Sequence, residues 1–283
     1  MIRRLAGYVA GALCFVVVES ACGGAVGSSA AKNGAPFFMF TTSRFADDER
    51  DGVFAALREY VGDRDYLGWR LASEIPDVGK RLDRSHLYVL PASVKAVSRQ
   101  SADCGAGAGL ILYDGENWAE TPSDEQANMP AAISRAKGAA KAAGCAHFGI
   151  SPGGELVGIV PDACSFDLSK AVHRHVDWAD IALFNIQAQR LLSDQCNGRA
   201  GVKAYVKFVS TVAQEVHAKN PLTKISAQLS FRYTPPSRMI DAIRQLRGTV
   251  DGFYLAYPRN VGGRCDYCSS QNLQAVLKAI RLM

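Results

Sequence analysis

The chain has 283 residues, of which 48% are hydrophobic and 21% are charged, and this composition excludes a collagen-like or wholly disordered protein. The formal net charge is +5, and the charged residues are scattered rather than clustered, so we expect no nucleic-acid partner. Eight cysteines indicate metal or redox chemistry if the protein is in a reducing cytosol, and disulfides if it is in an oxidising compartment.

Residues 1–30 have the pattern of an export signal. A basic pair precedes an apolar run over residues 5–18, and small residues follow as far as Ala30. Cleavage after Ala30 would give a secreted protein. The alternative is a lipid anchor at Cys22 on the bacterial cell envelope, since the preceding residues resemble a lipobox, with Glu19 in place of its leucine. No later stretch is apolar enough to cross a membrane, so we expect no transmembrane span in the mature chain.

Residues 35–283 alternate between short apolar runs and longer amphipathic runs, which predicts alternating strands and helices. The strand-like runs are Phe37–Ser43, Tyr66–Leu71, His86–Ala92, Gly109–Trp118, His147–Pro152, Ile181–Gln189, Lys224–Arg232 and Gly252–Pro258. The helix-like runs are Asp51–Val61, Ser73–Leu82, Ser123–Ala143, Asp162–Arg174, Gly201–Lys219, Pro236–Leu246 and Asn272–Leu282, with a weaker pattern over Ser93–Ala108. Eight such units predict one α/β domain, a (β/α)₈ TIM barrel. The alternative, a doubly wound open sheet, lacks the Gly-x-Gly-x-x-Gly turn after its first strand.

Polar side chains alternate with apolar ones along the sixth and seventh predicted strands. Because successive side chains point to opposite faces of a strand, Asn185 and Gln187 share one face, and Gln228 and Arg232 share another. The apolar faces suit a covering of helices. We therefore expect the polar side chains inside the barrel, near the carboxyl ends of the strands, where TIM barrels have their active sites. Ser151 ends the fifth predicted strand and is expected on the same rim.

Asp114 and Glu116 end the fourth predicted strand and point in the same direction. Two neighbouring carboxylates repel each other, which is expected to raise the pKa of one of them. A carboxylic acid that stays protonated near neutral pH can act as a general acid. Trp118, two residues further on, offers an aromatic face to a sugar ring. The alternatives are a solvated acidic loop and a structural ion pair with Arg232.

The segment from Gly109 to Glu116 resembles the fourth-strand motif of the chitinase-like glycoside hydrolases of family 18. In that family the strand ends with Asp-x-x-Asp-x-Asp-x-Glu. This chain keeps only the final Asp-x-Glu, because Gly109 and Leu112 replace the first two aspartates. The resemblance in strand order covers most of residues 35–283, whereas the match in the motif is short.

The resemblance implies a role for each of four residues. Glu116 would protonate the glycosidic oxygen, and Asp114 would orient an N-acetyl group for substrate-assisted attack. Gln187 would contact the same group, and Tyr257 stands where the family often has a tryptophan beneath the sugar. The implied function is hydrolysis of an oligosaccharide or polysaccharide by a monomer, without a cofactor or a metal ion.

Several alternatives remain open beside this interpretation. A two-carboxylate mechanism would use Glu125 or Asp180 as the second group. The chain could instead be a non-catalytic carbohydrate-binding barrel, or a structural envelope protein without a ligand. Residues 149–153 match the Gly-x-Ser-x-Gly nucleophile motif, but Pro152 lacks the N–H that the oxyanion hole of an esterase requires.

Export leaves six cysteines, an even number that favours disulfides. The strand order places two of them at the amino-terminal ends of neighbouring strands, two at the carboxyl-terminal rim and two within one loop. The predicted pairs are Cys104–Cys145, Cys164–Cys196 and Cys265–Cys268. His173 and His175 make a poor metal site, and we expect a solvated surface there.

Overall fold

Among the residues that the structure describes, ten strands are present, and eight of them close into a parallel barrel. The computed structural model describes residues 36–41, 50–69, 86–100, 104, 108–196, 201–257 and 265–282. Within them the strands are β1 (Phe37–Thr41), β2 (Tyr66–Trp69), β3 (Leu87–Val89), β4 (Leu110–Tyr113), β5 (His147–Ile150), β6 (Ile159–Val160), β7 (Ser165–Phe166), β8 (Ile181–Ile186), β9 (Lys224–Ser230) and β10 (Gly252–Ala256). The order of strands around the barrel is β1-β10-β9-β8-β5-β4-β3-β2. The short strands β6 and β7 form a separate antiparallel hairpin. The prediction of an α/β TIM barrel is confirmed.

The longer helices pack their apolar faces on the outside of the barrel. In the helix Pro236–Leu246, for example, Met239, Ile243 and Leu246 are buried at helical spacing. None of the described helices is long and apolar enough to cross a bilayer. The described helices are α1 (Arg50–Tyr60), α2 (Val94–Gln100), α3 (Ser123–Ala127), α4 (Met129–Ala142), α5 (Gly154–Val157), α6 (Gln189–Leu192), α7 (Val202–Lys219), α8 (Pro236–Leu246) and α9 (Ser270–Arg281).

Some predicted elements lie outside the described residues. These are the leader over residues 1–30, the helix Ser73–Leu82 and the final residues of the first, second and eighth predicted strands.

The predicted helix Asp162–Arg174 is wrong. This segment contains β7 and a single 3₁₀ turn over Val172–Arg174. Cys164 has φ 46°, a left-handed conformation that a non-glycine residue adopts at an energetic penalty and that interrupts a helix. The disulfide to Cys196 holds Cys164 in place. The left-handed Cys164 and the β6–β7 hairpin are incompatible with a continuous helix over this segment.

Three disulfides join the cysteine pairs that the strand order predicted. Their Cα atoms lie 5.2 Å apart in Cys104–Cys145 and 5.5 Å apart in the other two pairs. The Cys164–Cys196 disulfide connects the segment after β5 to the segment after β8, so it ties together two loops at the carboxyl-terminal rim of the barrel.

The prediction of a solvated surface is wrong for His173, which is completely buried, whereas His175 is exposed. The His173 Nε2 atom lies 2.7 Å from Glu215 Oε2, and Arg174 donates two hydrogen bonds to the same carboxylate. Hydrogen bonding to Arg174 is the main cause that lowers the pKa of Glu215 to about 2, and burial lowers the pKa of His173.

Acid is expected to weaken the barrel through Glu215. The pKa of this carboxyl is lower in the folded chain, so its stabilisation is complete above the ordinary value of 4.5 and is lost as the pH falls towards about 2. We expect Glu215→Gln to reduce the free energy of unfolding by about 1–2 kcal/mol at pH 7 and to flatten its pH dependence below pH 4.5. Urea unfolding at several pH values measures both effects. Asp241→Asn, on the exposed face of α8, is the control. A Glu215→Gln variant whose stability has the wild-type pH dependence would show that Glu215 does not cause the loss of stability in acid.

Candidate active site

A cleft of about 400 Å³ opens at the carboxyl-terminal end of the barrel. Its floor includes Thr41 and Tyr254, whose hydroxyl groups are hydrogen-bonded at 2.6 Å. Below them the barrel interior is filled by apolar and aromatic side chains, among them Met39, Tyr88 and Leu112. Eight of the nine residues that the sequence predicted for catalysis and substrate binding line this cleft: Asp114, Glu116, Trp118, Ser151, Gln187, Gln228, Arg232 and Tyr257.

Asn185, the ninth predicted residue, lies in a polar network below the cleft. Its amide nitrogen donates to Gln228 Oε1 at 2.7 Å and to Ser151 Oγ at 3.0 Å, and its oxygen accepts from Ser226 Oγ at 3.0 Å. These side chains are buried. Because buried amides are stable only when they are hydrogen-bonded, the network fixes the orientation of each polar group beneath the cleft.

The amide nitrogen of Gln187 is the centre of the site. It lies 2.6 Å from Glu116 Oε1, 3.1 Å from Asp114 Oδ1 and 3.0 Å from the Ser151 carbonyl oxygen. Both carboxylates are thus within hydrogen-bond distance of a single nitrogen atom and lie close to each other. Asp114 is buried, whereas Glu116 is half-buried and reaches the cleft. The arrangement places one accessible carboxyl group beside a second, buried one.

Backbone hydrogen bonds hold both carboxylates beyond the end of β4. The N–H of Asp114 donates to the Pro91 carbonyl, and the N–H of Gly153 donates to the Gly115 carbonyl, so strand pairing continues into the loops. A Cβ atom on Gly115 would lie 2.7 Å from Met129 Sδ, closer than van der Waals contact allows. A larger residue between the two carboxylates would therefore require the end of the Met129 side chain to move.

Thr121 is a positioning residue that the sequence did not reveal. Its Oγ1 atom accepts from the Glu116 N–H at 3.1 Å and from Trp118 Nε1 at 2.8 Å, and it donates to the Ala92 carbonyl at 2.9 Å. The only signal in the sequence was its place just before the Pro122-Ser123 helix start. The hydroxyl group ties the loop that carries Glu116 to the loop after β3.

The change Thr121→Val is expected to reduce the free energy of unfolding by about 1–3 kcal/mol, because two N–H donors lose their acceptor. Chemical denaturation measures the difference. Thr211→Val is the matched control, since the Thr211 hydroxyl bonds only within an exposed turn of α7. Equal losses in the two variants would contradict a positioning role for Thr121.

Two carboxylates considered for a two-carboxylate mechanism lie elsewhere. Glu125 is buried on the outer side of the strands, where it accepts from the Tyr113 hydroxyl at 2.7 Å and from the Val94 N–H at 3.1 Å. Asp180 precedes β8 at the opposite end of the barrel and faces Lys141. Neither residue lines the cleft, so this alternative is wrong for both.

Of the two aromatic side chains that were expected to contact a sugar, only Trp118 is accessible in the cleft, and the alternative of an ion pair at Arg232 is not observed within the part of the chain that the structure describes. The Tyr257 ring is 5% exposed and packs against Phe231, with ring centroids 5.4 Å apart, so it does not present an open face beneath a sugar. Trp118 is half-buried and lines the cleft.

The Arg232 guanidinium lies 5.0 Å from the centre of the Tyr233 ring. No ion pair joins Arg232 to a carboxylate among the described residues, so the alternative of a structural ion pair is wrong there.

Further polar residues line the cleft that sequence patterns did not reveal. They lie in loops and short turns, where no strand alternation indicates which way a side chain points. They include Glu155, Gln189, Arg190, Ser193, Gln195 and Thr234.

Comparison with known proteins supports the fold and no more specific assignment. No family model and no curated protein matches the sequence. A triosephosphate isomerase from Bartonella henselae has a similar structure, with a TM-score of 0.50 and 11% identity over 88% of this chain and 100% of that chain. A glycoside hydrolase family 5 enzyme from Prevotella bryantii, in complex with a xyloglucan tetradecasaccharide, gives a TM-score of 0.43 and 7% identity over 84% and 87% of the two chains. At 11% identity, the likeness to the triosephosphate isomerase shows a shared TIM-barrel fold alone.

Proposed function

We propose that the protein is a glycoside hydrolase in which Glu116 is the general acid and Asp114 is its buried partner. The observation that carries the proposal is the Gln187 amide, which binds both carboxylates at the carboxyl-terminal rim of the barrel. Catalytic residues of TIM-barrel enzymes lie at this end of the strands. The half-buried Glu116 is the carboxyl group that a substrate in the cleft can reach.

In the proposed reaction, protonated Glu116 donates its proton to the glycosidic oxygen, and the bond from that oxygen to the anomeric carbon breaks. For an N-acetylated sugar, the acetamido oxygen forms the new bond to the anomeric carbon. Asp114 would orient and stabilise the acetamido group as positive charge develops on it. Water then attacks the anomeric carbon and returns a proton to the Glu116 carboxylate, which restores the enzyme.

Four further cleft residues would bind and orient the substrate. Trp118 would contact a sugar ring, and amide or hydroxyl groups of Gln187, Gln228 and Ser151 would exchange hydrogen bonds with sugar hydroxyls or bound water. The three disulfides fit the proposed export to the cell envelope or medium, since disulfides are typical of oxidising compartments.

The proposal is tested by measuring reducing ends released from a panel of neutral, N-acetylated and acidic polysaccharides. The double variant Asp114→Asn, Glu116→Gln serves as the blank, because it keeps the shape of the site and removes both acids. We expect wild type to release reducing ends from at least one polysaccharide and the double variant to release none. Equal release by both proteins, or none by either, would contradict the proposal.

A carbohydrate-binding barrel without catalysis is the second candidate. The observation that favours it is Leu112. This side chain is buried in the apolar interior of the barrel, at the motif position where the family 18 chitinase-like hydrolases have a further aspartate. The same panel separates the two functions, since a binding protein would retain a polysaccharide without shortening it.

A further inference from the structure

Three buried polar atoms on one wall of the cleft have no hydrogen-bond partner among the described residues. They are Gln189 Oε1, Arg190 Nε and Thr234 Oγ1. All three residues line the cleft: Gln189 and Arg190 lie in the short helix α6 after β8, and Thr234 lies in the segment after β9. Folded proteins satisfy more than about 90% of buried polar groups, so these atoms in a cleft mark a place where a ligand or bound water supplies the partners.

The same wall carries two guanidinium groups, those of Arg190 and Arg232. Neither forms an ion pair within the described part of the chain. The carboxylate of Asp194 in the adjoining loop is already paired with Arg238, at 2.7 Å. Glu155, the exposed carboxylate on the rim, is likewise not paired with either arginine. The cleft thus has carboxylates and amides on one side and unneutralised positive charge on the other.

We infer that the Arg190–Arg232 wall binds an anionic substituent of the saccharide, so that the substrate is an acidic sugar polymer. This inference rests on the proposed function. A planar guanidinium forms two parallel hydrogen bonds with a carboxylate, a sulfate or a phosphate. Thr234 Oγ1 would donate a further hydrogen bond to the anion, and Gln189 Oε1, which is an acceptor, would bind a neighbouring sugar hydroxyl. The substituent is a carboxylate, as in a uronic acid, or a sulfate or phosphate ester.

The test measures binding of small probes by isothermal titration at matched ionic strength. Glucuronate is compared with glucose, and inorganic sulfate and phosphate are compared with chloride, which distinguishes a carboxylate site from an ester site. We expect at least one of the anions to bind wild type about tenfold more tightly than its neutral or chloride counterpart. Arg190→Met and Arg232→Met are expected to lose that preference. Arg244→Met is the control, since Arg244 is exposed on α8 and pairs with Asp241.

The outcomes separate this inference from the proposed function. If no anion is preferred, or if the preference survives in Arg190→Met and Arg232→Met, the proposal of an anion-binding wall is wrong. The proposal that the protein hydrolyses neutral saccharides is then unaffected. If the arginine-dependent preference is found but no polysaccharide of the panel is cleaved, the wall binds anions and the proposed hydrolase function is wrong.

Discussion

Substitution of Glu116 by glutamine is expected to lower kcat for saccharide hydrolysis by about 10²–10⁴-fold while leaving saccharide affinity within a few fold of wild type. Glutamine has nearly the shape of glutamate but no proton that it can donate to the glycosidic oxygen. The Gln187 amide can still hydrogen-bond the carbonyl oxygen of the new side chain, as it does Glu116 Oε1 at 2.6 Å. The variant therefore separates proton transfer from the shape of the site.

The matched control is Glu155→Gln. This carboxylate also lines the cleft, but it is exposed and does not contact the Gln187 amide. We expect its kcat to stay within a few fold of wild type. Steady-state kinetics measure kcat, and equilibrium binding measures saccharide affinity. A loss of kcat in Glu155→Gln equal to that in Glu116→Gln would show that Glu116 is not the general acid.

Replacement of Arg281 by methionine is expected to reduce the free energy of unfolding by about 3–5 kcal/mol. Arg281 lies in the last turn of α9, where it pairs with the buried Asp65 and donates to the Tyr60 carbonyl at 2.7 and 3.0 Å. Asp65 also accepts from the Phe38 N–H in β1, so the pair joins the last helix to the first strand. Burial raises the pKa of Asp65, and removal of the arginine would leave the carboxylate buried without a counter-charge.

Urea unfolding measures the effect, with Arg244→Met as the exposed control, expected to change stability by no more than about 0.5 kcal/mol. At acidic pH the uncompensated carboxylate of Asp65 would take up a proton. Arg281→Met should therefore lose less free energy of unfolding at acidic pH than at neutral pH. Adding Asp65→Asn to Arg281→Met should recover part of the lost stability, since the amide carries no charge. Equal losses in Arg281→Met and Arg244→Met would contradict the role of the pair.

The sequence predicted the barrel and much of the cleft because strand alternation is a local property. Asn185 and Gln187 on β8 and its extension, and Gln228 on β9, face inward as every second residue of a barrel strand must. Their convergence with Asp114 follows from closure of the sheet, which brings the carboxyl ends of all strands to one rim.

The features that were missed depend on contacts between distant segments. Thr121 holds the loop that carries Glu116 only because Ala92, 29 residues earlier, lies beside it. Arg190 in the single-turn helix α6 and Thr234 in the loop after β9 carry no periodic pattern that would indicate the direction of a side chain. The helical pattern around Cys164 gives way to a hairpin that pairs β6 with β7, and this pairing is not visible in the local pattern.

The most direct test of the central claim, that Glu116 and Asp114 form a hydrolytic pair, is native mass spectrometry of wild type and Glu116→Gln with a library of oligosaccharides. We predict that wild type converts at least one oligosaccharide into shorter products, each cleavage adding one water, whereas Glu116→Gln carries the same oligosaccharide bound and intact. An oligosaccharide that is shortened equally by both proteins, or a library that neither protein binds nor shortens, would contradict the claim.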